Sequence, residues 1–93
     1  MAQPIDASRP RLARGCRLRI TNNDNDAVVL FPEGALRLEG PGRQILEHCD
    51  GQRTFQEIVG TLQALYIGAG HAQVREDTAS FLDQLQQQRI LDY

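Results

Sequence analysis

A chain of 93 residues with 41% hydrophobic residues has room for one domain and one small core, and little for a second. Its net charge of −2 is uneven. Arg9, Arg11, Arg14, Arg17 and Arg19 stand against Asp6 alone, so the first 20 residues carry +4 and the rest −6. No signal-like or bilayer-spanning apolar run is present, which excludes a membrane partner and makes the cytoplasm the expected location.

Met1 to Arg14, with Pro4 and Pro10, has no sustained period. The expectation is an extended, flexible arm over 1–14, followed by a single domain over 15–93. Cys16-Arg17-Leu18-Arg19-Ile20 alternates apolar and charged, the period of a strand with one buried face. Thr21-Asn22-Asn23-Asp24-Asn25-Asp26 is a run of turn-forming side chains, hence a polar loop. A second strand is expected over Ala27 to Phe31. Phe31-Pro32-Glu33-Gly34 then suits a type I turn, because proline presets φ at the second position and glycine is favoured at the fourth. A third strand follows over Ala35 to Glu39, with Leu36 and Leu38 on one face and Arg37 and Glu39 on the other.

From Gly40 the period becomes helical. Pro41 fits a first helical turn, Ile45, Leu46 and Cys49 share a face, and Asp50-Gly51 stops the helix. Thr54-Phe55-Gln56-Glu57 has the form of a capping box opening a second helix. In it Phe55, Ile58, Val59, Leu62, Leu65 and Tyr66 fall within about 120° of arc. Gly68-Ala69-Gly70 breaks the chain, and a third helix, from about Ala72 to Gln88, carries Val74, Thr78, Phe81, Leu82 and Leu85 within about 100°. Ile90-Leu91-Asp92-Tyr93 is a short tail that could close the core or add a stub of strand. The fold class expected is α+β: winged helix-turn-helix-like, a three-stranded antiparallel sheet followed by three helices.

Chemistry is harder to find. Cys16, Cys49, His48 and His71 share no metal-ligand spacing, so no metal or other cofactor is expected. His48 falls late in the first helix and His71 in a glycine-bounded loop. No serine–histidine, cysteine–histidine or paired-acid arrangement is supported, so the chain is not expected to be an enzyme. A winged helix raises the alternative of a DNA-binding transcriptional regulator. The third helix argues against nucleic acid, because Arg75 and Arg89 are outnumbered by Glu76, Asp77 and Asp83.

A binding module remains. In a three-stranded meander the third strand is an edge, able to accept an added peptide strand through its main chain, with pockets against the third helix choosing side chains. The competing reading is that Leu36, Leu38, Phe81, Leu82 and Leu85 are simply core. Such an edge could also pair with its own copy, so the chain is expected to be a monomer or an edge-mediated homodimer.

One set of residues points further. Leu30-Phe31-Pro32-Glu33-Gly34, Leu36-Arg37-Leu38, Ile45-Leu46, Cys49-Asp50-Gly51, Arg53-Thr54 with Glu57-Ile58-Val59, and Asp77 before Phe81-Leu82 together resemble the PqqD proteins of pyrroloquinoline quinone (PQQ) biosynthesis. The match runs from about Arg11 to Leu91. It departs at Glu39-Gly40-Pro41, where relatives carry asparagine and then small or hydroxyl residues, and at Arg89-Ile90-Leu91, where a glycine–tryptophan pair is common.

The resemblance implies a non-catalytic peptide chaperone. It would bind the ribosomal precursor peptide PqqA and present it to the radical SAM enzyme PqqE, which crosslinks a glutamate and a tyrosine within the peptide. In precursor-peptide recognition domains the leader lies along the third strand and against the third helix. Carried onto this chain, the implied peptide-binding residues are Ala35, Leu36, Arg37, Leu38, Glu39, Thr78, Phe81, Leu82 and Leu85.

Overall fold

The computed structural model describes residues 3–20, 26–39 and 41–93, the side chains of Asp26 and Glu39 excepted. The elements in chain order are β1 (Arg11–Leu12), β2 (Arg17–Ile20), β3 (Asp26–Phe31), β4 (Gly34–Glu39), α1 (Pro41–Glu47), α2 (Phe55–Leu65), α3 (His71–Gln87) and β5 (Leu91–Asp92). The architecture is the expected one, an antiparallel β2-β3-β4 sheet followed by three helices, with a second, two-stranded sheet of β1 and β5. The three sequence-predicted strands are β2, β3 and β4. The polar loop expected over Thr21–Asp26 lies outside the described residues, apart from Asp26, whose backbone opens β3; Gly40 lies outside them too.

Alternation in the strands explains which sheet face is buried. The register aligns Leu18 with Val29 and Val29 with Leu36, and Ile20 with Ala27 and Ala27 with Leu38, so these six side chains share one face. Ala27, Val29 and Leu38 are buried there, while Ile20, at the end of β2, is 54% exposed, so the expected buried face of this strand does not reach its last residue. The opposite face carries exposed Arg17, Arg19 and Arg37.

Helix α2 begins where the capping box requires. The Glu57 N–H donates to Thr54 Oγ1 at 3.2 Å, and the Thr54 N–H donates to Glu57 Oε1 at 2.8 Å. Donation to the Glu57 carboxylate from the Thr54 N–H first, and from the Thr54 hydroxyl at 3.1 Å second, holds that carboxyl below its ordinary pKa. The helix buries Phe55, Ile58, Val59 and Leu62, each contributing about 1.5–3 kcal/mol when fully removed from water. Leu65, counted on the same apolar stripe, is 55% exposed at the helix end.

Between α1 and α2 the Cys49-Asp50-Gly51 motif makes the turn. Asp50 Oδ1 accepts from the N–H groups of Gln52 (2.9 Å) and Arg53 (3.0 Å), and Gly51 takes φ +76°, a left-handed value at which a side chain is strained. His71, expected in a loop, is instead the first residue of α3.

The tail does both things foreseen for it. Ile90 and Leu91 are completely buried, and Leu91–Asp92 forms β5, paired antiparallel with β1. The amino-terminal segment is extended and docked. Pro10 is buried, the Phe55 N–H donates to the Ser8 carbonyl at 2.7 Å, and the Gly51 N–H donates to the Pro10 carbonyl at 2.9 Å. Long-range main-chain bonds thus join residues 6–10 to the start of α2 and the turn before it, a set of contacts that composition could not announce.

Candidate functional site: an open sheet edge beside a groove

β4 is the outer strand of its sheet, and among the described residues no strand runs along its far side. The register tells which of its main-chain groups face outward. Phe31 and Gly34 close a turn of two residues, so they form a hydrogen-bonded pair, and hydrogen-bonded pairs then recur at Val29–Leu36 and Ala27–Leu38. The N–H and C=O groups of Leu36 and Leu38 are thereby spent on β3. Those of Ala35, Arg37 and Glu39 point away from it, toward the edge. An incoming strand would meet these three residues through its backbone and the alternate ones through side chains.

Beside this edge lies a groove of about 430 Å³ between β4 and α3. Leu36, Leu38, Ile45, Phe81 and Leu85 give it apolar walls, and Arg37, Asp77, Gln84 and Gln88 a polar rim. Its floor is set by Gly42 in α1. A Cβ at that position would stand 3.3 Å from Phe81 Cζ and 3.6 Å from Leu38 Cδ2, so the Phe81 ring rests against bare backbone. Gly42 and Pro41 carried no signal for this role in the sequence, since a small residue in a helix declares itself only through what packs on it.

The residues expected to bind the peptide occupy three different environments. Ala35 and Arg37 are exposed on the edge strand, Leu36 is half-buried in the groove wall, and Glu39 contributes its backbone at the strand end. Leu38 is buried at the groove's base. On α3, Phe81 is half-buried and faces the groove with Leu85, which is itself almost fully enclosed. Thr78 is buried and lines a second cavity, between the helices. Leu82 is fully buried and borders neither space; its place on the same helical stripe is accounted for by the core. The exposed side that the sequence suggested for these four α3 residues is thus reduced to Phe81 and the rim of Leu85.

Cys49 is buried, donates to the Ile45 carbonyl at 3.2 Å, and has its thiol pushed up to about 12 by burial first and the neighbouring Asp50 charge second. Burial also raises the Cys16 thiol, with Glu33 and Asp92 adding to the effect. Neither sulfur is poised as a nucleophile. Among the described residues no three His, Cys, Asp or Glu side chains converge as metal ligands would, and no helix is long and apolar enough to cross a membrane. On α3, Arg75 is held by Asp6 at 2.5 Å and lies over the Phe55 ring, 5.0 Å from its centroid. This cation is committed to the fold, which leaves the helix still less suited to phosphate.

An antiparallel three-stranded sheet with an open edge and a helix-walled groove defines a winged-helix-like recognition domain. The chain belongs to the PqqD family: it matches Coenzyme PQQ synthesis protein D (PqqD) over residues 26–91. It is 36% identical over 74 residues to a PqqA binding protein of Stutzerimonas stutzeri, covering 80% of this chain and 78% of that one. It is 34% identical to a PqqA binding protein of Rhodopseudomonas palustris, covering 86% of this chain and 78% of the relative.

Among solved structures, the PqqD truncation of Methylobacterium extorquens PqqCD superposes with a TM-score of 0.74 at 34% identity, covering 90% of this chain and 88% of that one. That protein is described as a functional, stand-alone recognition element for ribosomally synthesized and post-translationally modified peptides (RiPPs). TbiB1 in complex with the TbiA(β) leader peptide shares the fold, with a TM-score of 0.76 at 21% identity over 88% of this chain and 94% of that one.

Proposed function

We propose that this protein is a non-catalytic, cytoplasmic peptide chaperone of PQQ biosynthesis that binds the precursor peptide PqqA and presents it to the radical SAM enzyme PqqE. The observation that carries the reading is the open edge of β4 lying directly beside the β4–α3 groove, in a chain of the family whose relatives are PqqA binding proteins. The peptide adds to β4 as a further strand, bonding to the main chain of Ala35, Arg37 and Glu39. Its alternate side chains lie over Leu36, Phe81 and Leu85, with Leu38, Thr78 and Leu82 supporting the groove from within.

Titrating PqqA into isotope-labelled protein tests this. Amide shifts should move at Ala35 to Glu39 and around Phe81, and calorimetry should give the matching heat. No response at micromolar protein would remove the reading. For presentation, the yield of crosslinked PqqA formed by PqqE is measured with and without the protein. Equal yields would leave a peptide binder that does not serve the enzyme.

A further inference from the structure

The second cavity, about 180 Å³, sits between α1, α2 and the first turns of α3, and it shares Pro41, Ile45 and Asp77 with the β4–α3 groove. It is a continuation of that groove into the helices. Pro41 stands two residues beyond the end of β4, so a strand laid along β4 and continuing past Leu38 arrives at the shared wall.

The chemistry of this wall selects what enters. Leu62, Val74 and Ile45 give aliphatic surface. Both hydroxyls present already spend their donors: Thr78 Oγ1 donates to the Val74 carbonyl at 2.7 Å, and the Tyr66 hydroxyl donates to Gln44 Oε1. Asp77, which lines both spaces, accepts from Gln73 Nε2 at 2.8 Å through Oδ1 alone of its two carboxylate oxygens. A polar tip on the guest would find only these two hydroxyl oxygens and the Asp77 carboxylate, and one that met none of them would be stranded at a cost of about 1–3 kcal/mol, whereas an apolar group meets the aliphatic wall without that cost.

Size narrows the guest further. An apolar cavity of about 150 Å³ accepts benzene, whereas pockets for whole small-molecule ligands begin near about 300 Å³. The space fits one ring or one branched aliphatic group.

We infer that this cavity is an anchor pocket for a single aromatic or branched aliphatic side chain of the bound peptide, with Asp77 receiving an N–H donor of the peptide beside that anchor. The inference rests on the peptide-binding reading above. Filling the pocket from its rim is the direct test. Ala69 lies in the exposed turn between α2 and α3 and lines the cavity, so Ala69→Phe places a ring there without disturbing a helix interior.

The variant should bind PqqA about 10–100-fold more weakly, the burial value of one large apolar side chain, with Ala69→Ser close to wild type. Methyl spectra of the wild-type protein give a measurement independent of the variant's folding. PqqA should shift the methyls of Ile45, Leu62 and Val74, and alanine replacement at one apolar position of the peptide should abolish those shifts while leaving those of the Ala35 and Arg37 amides. If the β4 amides respond but the three methyls do not, or Ala69→Phe binds as wild type does, the anchor pocket is refuted and the peptide reading stands. If neither region responds to PqqA, both are refuted.

Discussion

At the scale of the residue, Arg89 is the chain's clearest conflict between sequence and backbone. It is the one described non-glycine residue with positive φ, +62°, and it stands two residues beyond α3, directly after the Gln88 cap. The Ile90 N–H donates to the Leu85 carbonyl at 2.9 Å, and the Arg89 N–H donates to the Gln86 carbonyl, also at 2.9 Å. The six-to-one span of the first bond is that of a Schellman motif, which asks for glycine at the left-handed position. An L-residue there costs about 1–2 kcal/mol, an expense met by delivering Ile90 and Leu91 into the core, both completely buried. Arg89→Gly should therefore raise stability by about 1 kcal/mol, part of the relief being offset by the greater freedom of glycine in the unfolded chain. For a domain of this size that corresponds to a rise of about 4–8 °C in Tm, read by circular dichroism. An unchanged or lower Tm would mean that Arg89 makes a compensating contact through its side chain.

At the scale of the element, the decisive feature is that β4 uses alternate residues for two tasks. Leu36 and Leu38 spend their main chains on β3, whereas Ala35, Arg37 and Glu39 turn theirs outward. Proline substitution separates the two. Ala35→Pro removes one outward donor at an exposed position and should weaken PqqA binding by about 2–10-fold, the value of one hydrogen bond of about 0.5–1.5 kcal/mol, with the unfolding midpoint nearly unchanged. Leu36→Pro removes an inward donor and should lower the midpoint itself. Equal loss of stability in both variants would show the register assignment to be wrong. Much of this element was legible in the sequence, because Leu36 and Leu38 alternate with charge and Pro32 with Gly34 marks a turn whose length fixes the pairing. The groove was legible only in part. A helical stripe of about 100° on α3 contains both what faces the groove, Phe81, and what faces the core, Leu82, and spacing alone does not divide them. Gly42 beneath Phe81, and a cavity walled by three separate helices, depend on tertiary packing for which a linear pattern holds no sign.

At the scale of the whole molecule, the two ends of the chain close the domain together, and this is where sequence reading was weakest. β1 is two residues long, and its partner β5 lies at the other end of the chain, so no period marks it. The segment before it is fastened by three further main-chain bonds, from Gly51 to Pro10, Phe55 to Ser8 and Gln56 to Asp6, at 2.9, 2.7 and 3.2 Å. Pro10 is among the fully buried side chains, while the Asp6–Arg75 ion pair is roughly half exposed at both partners. The physical weight lies with the main chain and the proline, because an exposed ion pair contributes about 0–1 kcal/mol. A chain beginning at Ala13 loses all three bonds and leaves β5 without a partner strand, so its unfolding free energy should fall by at least about 2 kcal/mol, taking each bond at about 0.5–1.5 kcal/mol. Asp6→Ala in the full chain, which removes the ion pair and keeps both the Asp6 carbonyl and the Arg75 contact with Phe55, should change stability by under about 1 kcal/mol. Because β1 and β5 form a sheet separate from β4, PqqA affinity measured well below the lowered midpoint should match that of the full chain. Denaturant titration of the two variants decides between the contributions. A truncated chain as stable as the whole would mean that the amino-terminal segment merely rests on the domain, and a truncated chain that is stable but loses affinity would place this segment in the binding site instead.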